Sequence, residues 1–575
     1  MSMMTRLEES GLIPAATVRL ARHLGYLYGE DRDLVVAATA CAITALSAGS
    51  VCFDLDHTDQ WHVDADQDPS LAWPDPHEWA EALRTSPMVS TDLDARDRPV
   101  ILHARSVYLT RYWIEQDRIV AWLRARVSRP DSPDSPEPPA EALDLFFPQD
   151  SSQRHAAELA TTSKVCVVAG GPGTGKTTAV ARILAVLAQG RQEPMRVILT
   201  APTGRAAARL DQAVRANLAS CQSIGTPLDI RCTSGTVHRV LGIKPWGGVD
   251  HDATRPLAAD VVVADESSML SLHLMSLLLD AIPEQTRLIL VGDPDQLASV
   301  EAGAVLADIV ACSQTVPVAR LTKTYRFGGP IASLATAIRT SRVDDALDIL
   351  SQGGDQLQWI DVDVDSPEAL DESLSPLRQD VVEQGVAMVE AARVGDVDRA
   401  LALLDSHRLL LAHRHGGSGV AHWTGVLRGW LAHGLDVDSL SRRWYPGMPV
   451  LVTRNDDVLS IYNGDSGVIV THEGHLWLAL NDGSGARLVA PDMITSWEPL
   501  YASTIHKAQG SQYDAVSLIL PSTTAALLSR ELFYTAVTRA TSFLRVIGSA
   551  DAVRQAIRSP ALRASGLASR LTQPG

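Results

Sequence analysis

The chain has 575 residues, 46% of them hydrophobic and 21% charged, with a formal net charge of −18, a composition that suits about three or four packed domains. Its six cysteines (Cys41, Cys52, Cys166, Cys221, Cys232, Cys312) form no C-x-x-C pair, which argues against a zinc ribbon or iron–sulfur site and fits a reducing cytosol. The first 14 residues carry Glu8 and Glu9 and no long apolar core, and the most apolar stretch, 35–49, is too short and too rich in small residues to span a bilayer, so a cytoplasmic protein with no membrane partner is expected.

The charge is uneven. Residues 51–100 hold twelve acids against Arg84, Arg96 and Arg98, a net of −9 and half the total. Such a module either faces protein partners or keeps the chain soluble. An acidic chain is an unusual nucleic-acid binder, because neutralised phosphates supply much of that affinity.

Residues 1–125 read as mostly helical. The run 37–48 is rich in Ala, and 108–123 sets Tyr108, Tyr112, Ile119, Trp122 and Leu123 at helical spacing. Residues 126–145 hold Pro130, Pro133, Pro136, Pro138 and Pro139 among Ser, Asp and Glu, the composition of a solvated, semi-rigid linker. Beyond about residue 146, short β-branched runs at 165–168, 197–199, 261–263 and 288–291 each meet a turn and then a helix-like stretch. That is the pattern of βαβ units on a parallel sheet. Residues 341–400 are acidic and helix-like, with no readable chemistry.

From 444 to 499 the pattern changes. Strands are expected at 450–453, 466–471, 476–480 and 487–489, separated by Asn463-Gly464, Glu473-Gly474 and Asp482-Gly483, which are hairpin turn pairs. A small β-barrel inserted into an α/β domain is the expected arrangement. Parallel-sheet periodicity resumes at 515–520.

The strand at 165–168 runs into Gly170-Gly171-Pro172-Gly173-Thr174-Gly175-Lys176-Thr177-Thr178. This is G-x-x-x-x-G-K-T between a strand and a helix. The glycines let backbone N–H groups wrap the β-phosphate of ATP, Lys176 reaches the β/γ-phosphates, and Thr177 is a ligand for Mg²⁺. The helix start adds its partial positive charge. The apolar strand 261–264 ends in Asp265-Glu266. There Asp265 would hold Mg²⁺ through water and Glu266 would polarise the attacking water. A third strand, 288–291, ends at Asp293, Asp295 and Gln296. Gln296 is placed to sense the γ-phosphate or orient water, while the two acids also suit a plain turn.

These residues, with 201–210 (A-P-T-G-R-A-A-A-R-L), 236–239 (T-V-H-R), 265–269 (D-E-S-S-M), 292–300, 321–327 (L-T-K-T-Y-R-F), 501–511 and 530–540, resemble the ordered motifs of superfamily-one helicases. Their wording is similar to that of the RecD family, the alpha subunits of RecBCD (exonuclease V). Residues 108–113 (Y-L-T-R-Y-W), 444–450, 454–456, 462–467 and 563–567 extend the likeness over nearly the whole chain. Ser267 stands where the family usually has Ala.

The resemblance implies an α/β fold of two RecA-like P-loop domains, a mostly helical N-terminal domain and an inserted, SH3-like β-barrel. The expected divisions are 1–125, contacting partners; 126–145, the linker; 146–325, the first RecA-like domain with an insertion at 243–257; and 326–575, the second, with the barrel at 444–499. It implies an ATP-dependent DNA helicase moving 5′→3′ on single-stranded DNA from a duplex end, partnered by RecB and RecC, in double-strand-break processing and homologous recombination. Strand cutting would belong to a partner. A stand-alone helicase of the same kind and a regulatory subunit with little unwinding of its own are the alternatives.

By residue, the resemblance assigns adenine reading to Gln153, which otherwise reads as a solvated loop residue. It makes Arg326 and Arg539 arginine fingers that reach the γ-phosphate when the two domains close. Thr203, Arg205, His238, Thr504 and His506 become contacts to the DNA backbone, although His238 and His506 also read as packed core histidines. Trp246, in the short insertion, is either part of a duplex wedge or a cap on the core.

Overall fold

The computed structural model describes residues 2–60, 73–94, 96–127, 140–148, 151–222, 228–244, 246–325, 328–364, 373–435, 442–456, 458–481, 485–522, 527–561 and 563–573. The prolines of the expected linker, the turn Asp482-Gly483 and Arg326 lie outside the described residues. No described helix is long and apolar enough to cross a membrane.

The first large sheet has six strands, all parallel, in the spatial order Val318–Leu321, Val165–Gly170, Arg287–Gly292, Val261–Ala264, Met195–Ala201 and Ile230–Thr236. Both faces of its central strands are buried, so Val165–Gly170, Arg287–Gly292 and Val261–Ala264 are almost continuously apolar, while the edge strand Ile230–Thr236 is polar and largely exposed. Val165, Val167 and Ala169 enter one core with Leu278 and Ile309, while Cys166 and Val168 enter the other with Ile183, Leu210 and Val214. This is the two-residue alternation of a strand packed on both sides. Register sets Ala169 opposite Gly292 and Ala264 opposite Leu290. The three strands carrying the sequence motifs are therefore adjacent and end at one level.

The second sheet has five parallel strands in the order Leu357–Ile360, Ala540–Ile547, Tyr513–Ile519, His407–Leu411 and Ala502–Thr504. Helices Val343–Gln352, Ser375–Arg393 and Val397–Ser406 account for much of the acidic region 341–400, and helix Gly329–Arg339 precedes it. Between His407–Leu411 and Ala502–Thr504 the chain leaves to form an antiparallel sheet. Its order is Ala486–Val489, His475–Asn481, Ser466–His472, Pro449–Val452 and Trp497–Pro499. Glu473 (φ 50°) and Gly474 (φ 78°) make the turn between two of these strands, as an I′ hairpin requires.

In the N-terminal part, helices Met3–Glu9, Ala15–Tyr28, Asp33–Ser47, Pro76–Arg84 and Thr110–Arg126 predominate. A four-stranded sheet that the sequence pattern did not suggest completes it: Cys52–Asp54, Ser106–Leu109, Val100–His103 and Val89–Ser90. Tyr108, expected on a helix, is in a strand opposite Cys52 and Ile101. Pairing on both sides overrides a local helical spacing.

The C-terminal tail returns to this part of the chain. Val51 N–H donates to Ala564 C=O (2.7 Å) and Ala564 N–H to Ser50 Oγ (3.0 Å). The Arg570 guanidinium lies 3.8 Å above the Trp113 ring and pairs with Asp117.

Candidate active site and nucleic-acid interface

Strand Val165–Gly170 ends in a loop that turns through Gly173 (φ 76°) and Gly175 (φ 78°) into helix Lys176–Ala188. Both glycines adopt left-handed backbone that other residues rarely take. Pro172 precedes them and Thr174 stands between them, its hydroxyl closing the loop by donating to Gly171 C=O at 2.8 Å. Lys176 Nζ crosses the loop to the carbonyls of Gly170 (2.7 Å) and Gly171 (3.0 Å). Thr177 and Thr178 follow in the first helical turn. Gln153 is buried in helix Ser151–Thr162, and a Cβ on Gly175 would come 2.8 Å from its Nε2. The Tyr325 N–H donates to Gly173 C=O at 2.8 Å.

Strand Val261–Ala264 delivers Asp265 and Glu266 beside this loop. Burial, reinforced by the Glu266 charge and opposed by Lys176, pushes the Asp265 carboxyl above its usual range. Glu266 has φ 49°, and its N–H donates to Asp265 Oδ1 at 2.8 Å. The Ser267 hydroxyl is fully buried and donates to Ala264 C=O at 2.7 Å, so serine is satisfied there. Gly292 closes the neighbouring strand, where a Cβ would meet Leu306 at 2.5 Å and the Ser267 N at 3.2 Å.

The third motif lies where the two large sheets meet. Gln296 Nε2 donates to Asp293 Oδ2 at 3.1 Å. Burial raises the Asp293 carboxyl, against the Lys176 charge. Tyr534 Oη, from helix Arg530–Val537, donates to that same oxygen at 3.0 Å. Leu297 N–H donates to Thr535 Oγ1 (2.8 Å), and Gln509 Nε2 donates to Leu297 C=O (2.6 Å).

Arg539 is buried, and its hydrogen bonds go to Thr535 C=O (3.1 Å), Ser511 C=O (3.0 Å) and Thr538 Oγ1 (3.4 Å). All three are in its own half of the cleft.

Of the residues expected on DNA, Thr203 lies opposite Gly510, whose added Cβ would be 3.8 Å from the Thr203 Oγ1. Arg205 donates to Asp405 Oδ1 at 3.1 Å and to Ser466 Oγ at 3.4 Å. His238 is exposed on the short helix Val237–Leu241, so it is not a core histidine. Thr504 is buried and its hydroxyl accepts from Lys507 N–H at 3.3 Å. His506 is half-buried, and burial together with the Arg563 charge holds its imidazole below the usual range. Two more arginines span the same gap. Arg209 reaches Gln512 (2.8 Å), and Arg239 reaches the Tyr462 hydroxyl (3.2 Å) of the inserted sheet. Trp246 is 83% exposed, which rules out a core cap.

Tyr534, Thr535 and Asp405 were not singled out from sequence. Tyr534 and Thr535 lie inside a quoted motif, whose wording marked the segment but not the partner of each side chain.

Three family models match this chain: the RecBCD enzyme subunit RecD N-terminal domain over residues 9–108, an AAA domain over 149–361, and a UvrD-like helicase C-terminal domain over 499–547. The RecBCD enzyme subunit RecD of Mycolicibacterium smegmatis is 42% identical, covering 98% of both chains. That of Haemophilus influenzae is 30% identical, over 85% of this chain and 84% of that one. The ATP-dependent RecD2 DNA helicase of Deinococcus radiodurans is 31% identical, over 68% of this chain and 47% of its own. A solved Pif1 helicase from Bacteroides aligns at 16% identity and a TM-score of 0.39, over 68% of this chain and 90% of that one.

Proposed function

Because the chain belongs to the RecD family of RecBCD enzyme subunits, we propose that it is the ATP-driven DNA helicase of a complex with RecB and RecC, moving 5′→3′ along single-stranded DNA from a duplex end. The observation that carries this reading is the junction at 293–297, where the loop after strand Arg287–Gly292 of the phosphate-loop sheet is held by Gln509, Tyr534 and Thr535 from the half built on the second sheet. Opening and closing that junction would couple ATP turnover to grip on the strand.

In this reading Gln153 reads adenine and the loop 170–178 cradles the phosphates. Lys176 would leave the Gly170 and Gly171 carbonyls for the β/γ-phosphates. Glu266 polarises water, and Gln296 orients it or senses the γ-phosphate. Arg326 and Arg539 supply positive charge in the transition state. The Thr177 hydroxyl and the Asp265 carboxylate are hard oxygen donors that fit Mg²⁺, which would neutralise phosphate charge when bound. Thr203, Arg205, His238, Thr504 and His506 hold the DNA backbone. The divisions 1–125, 146–325 and 326–575, with an SH3-like barrel at 444–499, and a cytoplasmic location complete the reading.

The test is ATPase rate with and without single-stranded DNA, for the chain alone and mixed with RecB and RecC, with Lys176→Gln as control. The expected result is DNA-stimulated turnover in the assembled complex, lost by roughly 10²- to 10³-fold in Lys176→Gln. A chain that ignores RecB and RecC yet is stimulated alone would favour a stand-alone helicase. Absence of stimulation in either state would favour a regulatory subunit.

A further inference from the structure

Tyr534 is a residue of the second sheet's helix layer whose side chain ends on the first. Its ring is in the core with Phe533 and Leu532, and its hydroxyl emerges on Asp293 at 3.0 Å. A Cβ on Gly171 would sit 3.0 Å from that hydroxyl, so the phenol rests directly on the phosphate loop. Asp293 Oδ2 thus receives two donors, one from Tyr534 and one from Gln296 Nε2 (3.1 Å).

A carboxylate oxygen only accepts hydrogen bonds, so this pairing assigns the amide nitrogen of Gln296 to Asp293. The carboxamide oxygen is then the end left to accept from water. Asp293 Oδ1 is held by the Asp295 N–H at 3.1 Å, and the two donors on Oδ2 complete the hold on the carboxylate. Without the Tyr534 hydroxyl, Oδ2 keeps Gln296 as its donor, and Gln296 loses the second hydrogen bond that fixes the oxygen it rests on. The second donor comes from across the junction, so it is in place only when the two halves are together.

We propose that Tyr534 is a positioning residue for ATP hydrolysis: through Asp293 it fixes which end of the Gln296 carboxamide faces the nucleotide, and it does so from across the junction between the two halves. The proposal deepens the reading above and rests on the role given there to Gln296. A methyl group on Gly171 would crowd the phenol, with its Cβ 3.0 Å from the Tyr534 hydroxyl.

The experiment is a double-mutant cycle of steady-state ATPase on the full chain assembled with its partners and saturated with single-stranded DNA. The variants are Tyr534→Phe, Gln296→Ala and the pair. Tyr534→Phe keeps the ring and removes only the hydroxyl. It is expected to lower kcat about tenfold or more, since small misplacements at a reacting centre cost that much, with KM for ATP within about twofold. In the Gln296→Ala background it is expected to add nothing, because the group it positions is gone. Independent, multiplying losses, or an unchanged kcat in Tyr534→Phe, would overturn the proposal. A parallel rise in KM with no loss of kcat would overturn it as well. If Gln296→Ala turned over normally while Lys176→Gln did not, the role of Gln296 would fall and the proposal with it, leaving the motor assignment standing.

Discussion

Glu266 is held at φ 49°, in a backbone region that costs a non-glycine residue about 1–3 kcal/mol. The strained residue turns the chain sharply off strand Val261–Ala264 beside the phosphate loop, with the Glu266 N–H tied to Asp265. Arg539 is the opposite case, relaxed and fully engaged. Its guanidinium satisfies Thr535 and Ser511 carbonyls and the Thr538 hydroxyl, so a reach to the γ-phosphate exchanges at least one of these bonds. Arg539→Ala should therefore have two effects. Turnover should fall about 10²- to 10³-fold with ATP binding retained, and stability should drop by about 1–3 kcal/mol from stranded buried acceptors. Thermal unfolding beside nucleotide-binding and ATPase assays separates the two. A stability loss at an unchanged rate would make Arg539 purely a brace.

Among the elements, strand His407–Leu411 is the least legible in sequence. It begins with His, of intermediate burial, and Arg, usually found at the surface, yet it lies in the second sheet between Tyr513–Ile519 and Ala502–Thr504. Tertiary partners make that possible. Arg408 donates to Leu500 C=O (2.6 Å) and Leu404 C=O (2.9 Å) and sits 5.1 Å over the Tyr513 ring. His407 Nε2 pairs with Ser517 Oγ at 2.9 Å. Burial, with the Arg545 and Arg408 charges and against Asp380, pulls the His407 imidazole down to about 4. Above the unfolded value of about 6.5 both states are neutral and the site is indifferent to pH. As pH falls from there toward 4, only the unfolded chain takes up the proton, and the fold loses about 1–3 kcal/mol. His407→Gln, which keeps a hydrogen-bonding group and does not titrate, should flatten the melting temperature against pH over that window. An equally steep profile in the variant would place the acid sensitivity elsewhere.

For the whole molecule, the proposed DNA path reconciles the net charge of −18 with nucleic-acid binding through local placement of basic residues. Arg205, Arg209 and Arg239 line one gap, and each is turned onto a partner across it: Asp405, Gln512 and Tyr462. Asp405 occupies Arg205 much as a phosphate would. Both side chains are about one-third exposed, 36% and 35%, so the pair itself is worth only about 0–1 kcal/mol. Replacing the carboxylate removes a competitor and a repulsive charge together. Asp405→Asn should tighten binding of single-stranded DNA about two- to fivefold at low salt, with the gain shrinking as salt rises. Fluorescence anisotropy across a salt series reads this directly, and weaker binding would remove Arg205 from the DNA path.

The amino-acid sequence by itself determined the chemistry-bearing loops and the strands that carry them. A phosphate loop, a strand ending in Asp265-Glu266 and a hairpin such as Glu473-Gly474 depend on residues within a few positions of one another, and local sterics and hydrogen bonding suffice to specify them. Only the tertiary structure decided which side chains meet. The hydroxyl of Tyr534 on Asp293, the carboxylate of Asp405 on Arg205 and the strand hidden in 407–411 join residues 241, 200 or about 100 positions apart. Such pairs are set by the packing of two sheets and an insertion against one another, and no local periodicity encodes that distance.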